Sequence, residues 1–184
     1  MQFNDTSRSF GFTSILLHWI SAALIAVLFV MGQIMEDMSR GAAKADLMAV
    51  HQSLGMLLLI VVLARLFWRL GQGFPEASSE TGSLINRISR LWHWLLLAVI
   101  VAIPASGYLA SETSTQGITF FGMSLLPDLI GANHDLHEVF EEIHETMSKL
   151  LIPLVIVHVL AAFKHHYFDR DDTLKRMMGP GKAA

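Results

Sequence analysis

The chain contains no cysteine among its 184 residues. Disulfides, iron–sulfur clusters, thiolate zinc sites and cysteine nucleophiles are therefore excluded. Charge is scarce too: Lys, Arg, Asp and Glu make up 16% of the sequence, against roughly 25% in soluble domains. The net charge of −3 lacks the positive excess that nucleic acid demands of a partner. Of only five prolines, Pro104 and Pro153 lie inside long apolar runs. What the chain has in abundance is hydrocarbon: 53% hydrophobic residues and a mean hydropathy of +0.48. Nine histidines and ten methionines stand out against that background.

Residues 15–35 carry no charged group, and 50–68 are apolar except for His51, Gln52, Ser53 and Arg65. Residues 91–111 hold only His93 as a titratable base, and 150–163 only His158. A helix needs about 20 residues to cross the hydrocarbon core, so four transmembrane helices are expected, near 12–35, 49–70, 90–111 and 136–168. Membrane helices tolerate Pro104 and Pro153 with a kink. The first run is long, lacks a clear A-x-A cleavage site and precedes three more, so it reads as a span and not as a signal peptide. Residues 72–89, rich in Gly, Ser and Pro, read as a linker between two helical hairpins. The expected fold is an all-α integral membrane four-helix bundle, one transmembrane domain over residues 1–184.

Orientation follows from the cations. Of 13 Lys and Arg residues, 10 fall on the side shared by the N-terminus, the loop after the second helix and the C-terminus. Only Arg40, Lys44 and Lys149 fall on the other. Positive charge marks the cytoplasmic side, so both termini are expected in the cytoplasm. The outer segment 112–148 holds seven acids, Asp128 among them, and no Lys or Arg.

An ionisable side chain inside a membrane points to function, although a single histidine can simply hydrogen-bond to a neighbouring helix. The arrangement of several is more telling. His144 and His158 are separated by about 21 Å along a helix and by about 40° less than four full rotations. They share a face, one near each membrane surface. That is the geometry by which one helix holds two haems stacked across a bilayer. His18 matches His158 in depth on the cytoplasmic side, and His51 matches His144 on the outer side. A haem's edge needs small residues one turn from its ligand. His18, His51, His144 and His158 have Ala22, Gly55, Ser148 and Ala162 at i+4. His93, His134 and His137 have Leu97, Glu138 and Glu141. Bis-imidazole ligation fills both axial positions of the iron and suits electron transfer. The methionines read as packing residues.

The stretches "LLHWI" at 16–20, "HQSLG" at 51–55, "RLFWRL" at 65–70, "EIHET" at 142–146 and "VHVLAAFKHHYFDRDDTLKRMM" at 157–178 resemble the bacterial cytochrome b561 family. The pattern is most similar to its four-helix diheme form, the superoxide oxidases, and extends over nearly the whole chain. The resemblance implies two haems b. One lies between His18 and His158, on the cytoplasmic side. The other lies between His51 and His144, on the periplasmic side. It further implies ubiquinone as acceptor at the cytoplasmic haem, superoxide as donor at the outer one, and a place in the bacterial inner membrane.

Other polar groups have plainer readings beside functional ones. Arg65, Arg69, Arg87 and Arg90 lie at a depth where guanidinium can pair with haem propionates, but headgroup contact is the usual role. His165 and His166 sit at the cytoplasmic interface. His165, seven residues from His158, is the better placed to contact ubiquinone and carry its proton; the plain reading of both is an interfacial polar belt. His134, His137, Glu138 and Glu141 have a spacing compatible with a metal, yet they read better as an exposed acidic helix start. His93 reads as packing.

Three functions compete. The first is a superoxide:ubiquinone oxidoreductase, in which haem carries the electron and the protein supplies position and potential. The second is an electron-transfer or anchor subunit joining a dehydrogenase or hydrogenase to the quinone pool; the acidic outer segment suits it as a docking surface. The third, a transporter moving protons or metal on intramembrane histidines, fits the paired depths least.

Overall fold

The computed structural model describes residues 2–76, 83–115, 117–123 and 130–179. Asp128 and Lys182, counted above, lie outside them. Among the described residues the regular structure is helical, with one isolated bridge between Phe120 and Met123. Four long helices dominate: α1 (Phe12–Asp37), α2 (Ala42–Gln72), α3 (Ser83–Thr113) and α4 (His134–Lys164). A π-helical turn (His165–Asp169) prolongs α4, and a short helix, α5 (Thr173–Met178), follows.

All four long helices are long and apolar enough to span a bilayer. The helices exceed the apolar runs at their ends. α2 begins at Ala42, because "AAKADLM" consists largely of strong helix formers. α3 begins at Ser83 and not near residue 90, so the expected linker is shorter than 72–89. Leu84, Ile85, Ile88 and Leu91 repeat at helical spacing and leave 52–70% of their surface exposed. That stripe gives the first turns of α3 a face for the interfacial lipid. α4 starts at an Asn133 cap, whose side chain accepts the Leu136 N–H at 3.1 Å.

The core lies between α1, α2 and α3, where Leu28, Leu58, Val62, Leu97, Val99 and Ile100 are buried together. α4 contributes only Leu151. Of its most apolar window just 6% is buried, against 33% for the third span. α4 packs closely on α3, as α1 does on α2 and α2 on α3, but not comparably on α1 or α2. Space therefore separates the inner face of α4 from the two helices opposite.

A strap of residues 2–11 folds over the end that carries both termini. Asp5 anchors it, accepting from the Gly11 N–H at 2.7 Å, the Ser14 hydroxyl at 2.8 Å and Arg69 at 2.9 Å. Arg69 also donates to the Gly73 carbonyl and lies over the rings of Phe10 and Phe74. At the same end Trp19 donates to the Met177 carbonyl at 2.8 Å, tying α5 to α1.

Candidate functional site

The helix register sets the site. His18 lies six residues into α1 and His158 six residues before the end of α4, each about 9 Å from its helix terminus. His51 and His144 lie nine and ten residues into α2 and α4, or about 14–15 Å. The chain reverses at each loop, so matching depths meet across the bundle. The ring centres of His18 and His158 are 6.3 Å apart, and those of His51 and His144 are 6.2 Å apart. Both pairs face each other where α4 stands off from α1 and α2.

These separations match a shared metal. Two imidazoles with one metal between them, about 2.0–2.1 Å from each nitrogen, have ring centres about 6.3 Å apart. A direct hydrogen bond between the rings would draw them closer. The donor set, two neutral nitrogen ligands per site, suits haem iron. The surroundings agree. A Cβ built on Gly55, one turn from His51, meets nothing within 4 Å, and the buried His51 Nδ1 has no hydrogen-bond partner.

His144 is oriented by α3. Its Nδ1 lies 2.8 Å from the Ile103 carbonyl oxygen. A carbonyl only accepts, so Nδ1 carries the proton and Nε2 keeps its lone pair for a ligand. Gly107 makes room for the ring: a Cβ there would sit 2.8 Å from His144 Nδ1. The His18–His158 pair has a different neighbour. Arg65 places a guanidinium nitrogen 2.9 Å from His18 Nδ1. Guanidinium only donates, so this nitrogen accepts.

His93 was set apart by its Leu97 neighbour, yet its ring lies 5.4 Å from that of His158, edge to face. That spacing is shorter than in either of the two pairs and is an ordinary edge-to-face contact. Its Nδ1 donates to the Ser89 carbonyl at 2.6 Å. His93 packs behind the His18–His158 pair.

At the end of α4, His165 Nδ1 lies 2.7 Å from Asp171 Oδ2 and 3.2 Å from Asp169 Oδ2. Lys164 holds Asp169 at 2.6 Å. Burial alone would raise the Asp171 pKa. The Thr173 N–H and the His165 ring, both bonded to its carboxylate, more than offset this and hold it below its ordinary value. His166, the next residue, lines an open cavity of about 390 Å³ with Leu174, Lys175 and Met178. At the other end of α4, His134, Glu138 and Glu141 are exposed, the His134–Glu138 and His137–Glu141 separations of 3.7 and 3.8 Å are loose, and His137 Nδ1 bonds the Ala110 carbonyl. Arg87 and Arg90 are exposed as well.

An all-helical, multi-pass membrane bundle of this kind belongs to the membrane electron-transfer proteins. The family model for prokaryotic cytochrome b561 matches residues 9–180, and the chain belongs to that family, whose members bind haem b. It is 30% identical over 182 residues to cytochrome b561 homolog 2 of Escherichia coli (strain K12), covering 97% of this chain and 96% of the relative. It is 26% identical over 170 residues to cytochrome b561 homolog 1 of the same strain, covering 92% and 96%. Similarity to the probable superoxide oxidase CybB of Yersinia pestis is 24% over 166 residues, covering 88% and 91%.

Proposed function

We propose that the protein is a diheme cytochrome b of the inner membrane that moves electrons from a periplasmic donor, superoxide, to ubiquinone. The observation that carries this reading is the pair of cross-helix imidazole separations, 6.3 and 6.2 Å. His18 with His158, and His51 with His144, would each hold one haem b. Bound haem supplies one-electron redox chemistry through its iron. Overall, two superoxide ions each lose one electron to become dioxygen, while one ubiquinone gains two electrons and two protons to become ubiquinol.

The chain's own groups serve that balance. Ile103 and Gly107 orient His144. Asp171 holds the proton of His165 on Nδ1, which leaves Nε2 free to exchange a proton with a quinone oxygen. The cavity beside His166 gives a head group room at the same end. The proposed orientation, both termini cytoplasmic, puts quinone reduction beside cytoplasmic protons.

Haem quantitation and dithionite spectra test the reading. Wild type is expected to hold two haems per chain with a bis-imidazole b-type spectrum. His18→Ala and His144→Ala should each lose a different haem. One haem per chain in wild type would overturn the pairing.

The anchor-subunit reading draws on one observation, the acids exposed on α4: the Asp135, Glu138 and Glu141 side chains are at least 67% exposed. Superoxide is an anion and is repelled by such a surface. Lys149, the cation nearer to these acids on that helix, is already paired with Glu145 at 2.5 Å. Quinone reduction by superoxide with the purified protein alone supports the enzyme. Turnover that appears only with an added dehydrogenase partner supports the subunit.

A further inference from the structure

Arg65 is the charge in the bundle that its surroundings do not explain. It lies seven residues inside the end of α2, within a membrane span. Among the described residues no carboxylate lies within ion-pair distance of it. Arg69, one turn on, has Asp5 at 2.9 Å. Arg65 has instead His18 Nδ1 at 2.9 Å.

That contact conflicts with ligation. An imidazole that binds iron through one nitrogen keeps its proton on the other, and that N–H needs an acceptor. Arg65 offers only another donor. Haem at the His18–His158 pair must therefore displace Arg65 from His18, and a buried guanidinium then needs an anion. Haem b brings its own in two propionates, which match the guanidinium fork.

The opposite end of the bundle has the opposite sign. Glu112 is 4% exposed and hydrogen-bonds to Tyr108. The adjacent Ser111 accepts from Gln52, the neighbour of His51, at 3.2 Å. Buried positive charge near the inner pair and buried acid toward the outer pair both favour an electron at the inner pair.

We propose that Arg65 sets the potential of the haem at His18–His158. It leaves His18 for a haem propionate, and its charge keeps this haem more readily reduced than the one at His51–His144, so electrons settle at the end bearing the termini. The inference rests on the diheme reading.

Potentiometric titration followed by visible absorbance tests it in the His144→Ala background, where only the inner haem remains. Arg65→Gln should lower the reduced-to-oxidised ratio at fixed ambient potential about tenfold, a shift of about 59 mV for a one-electron couple. Arg65→Lys, which keeps the charge, should recover most of that loss. An unmoved ratio in Arg65→Gln, or an equal loss in Arg65→Lys, overturns the proposal. Should Arg65→Gln fail to hold haem, the His144→Ala protein is titrated against His18→Ala. The haem remaining in His144→Ala must be the more readily reduced, and equal or reversed potentials overturn the proposal. A chain that binds no haem defeats the diheme reading itself, whereas two haems whose potentials ignore Arg65 defeat this inference alone.

Discussion

Single side chains decide whether the histidines can act. Gly107 is the sharpest case, because a methyl group there would meet His144 Nδ1 at 2.8 Å. Gly107→Ala is expected to push the ring off the Ile103 carbonyl and to cost the outer haem, leaving one haem per chain by pyridine haemochrome assay. A wild-type stoichiometry in that variant would remove Gly107 from the site. Asp5 and Arg69 are a second case, with side chains 3% and 10% exposed. Removing one partner of a buried ion pair costs about 3–5 kcal/mol. Asp5→Ala should therefore lower the thermal midpoint in detergent clearly, and Arg69→Met added to it should restore part of the loss. The four paired histidines were legible in the sequence because helix period and span length alone place 144 and 158 on one face. Arg65 against His18, Gly107 beneath His144 and His93 behind His158 were not legible. Each is a meeting of two helices more than 30 residues apart in sequence, and no local pattern records it.

The long helices follow directly from the apolar runs, while their ends and the motif after α4 do not. Turns at a helix end depend on caps and tertiary hydrogen bonds that leave no periodic signal. The "HHYFDRDD" stretch folds into a π-helical turn, with Arg170 in the left-handed region at φ 55°. That turn brings Asp171 back to His165. Because the folded Asp171 pKa is depressed, its stabilising contribution is fully present above the ordinary carboxylate value of 3.8 and is lost as pH falls through the lower folded value. Hydrogen-exchange protection of the α5 amides, relative to the unfolded-chain rate at each pH, should be present at neutral pH and should fall only below that value. Asp171→Asn should exchange faster at neutral pH and converge with wild type in acid. Equal exchange at neutral pH would mean that the carboxylate does not hold the turn.

For the molecule as a whole, the cation asymmetry predicts the side on which each end lies. The absence of cysteine makes a clean test possible. Ser39, between α1 and α2, and Ser7, in the N-terminal strap, are both exposed. In intact spheroplasts a membrane-impermeant maleimide should label Ser39→Cys and spare Ser7→Cys until the cells are lysed. Labelling of Ser7→Cys first would invert the topology and reverse the direction of electron flow proposed above.

The attachment of α4 along one side only bears on how the protein is made. The core is shared mainly by α1, α2 and α3, and α4 adds one buried residue to it. The helix that supplies one histidine to each pair is therefore also the last of the four to be synthesised, and it has a single buried residue. Each of His18 and His51 therefore gains its facing imidazole only from the helix that is synthesised after both of theirs.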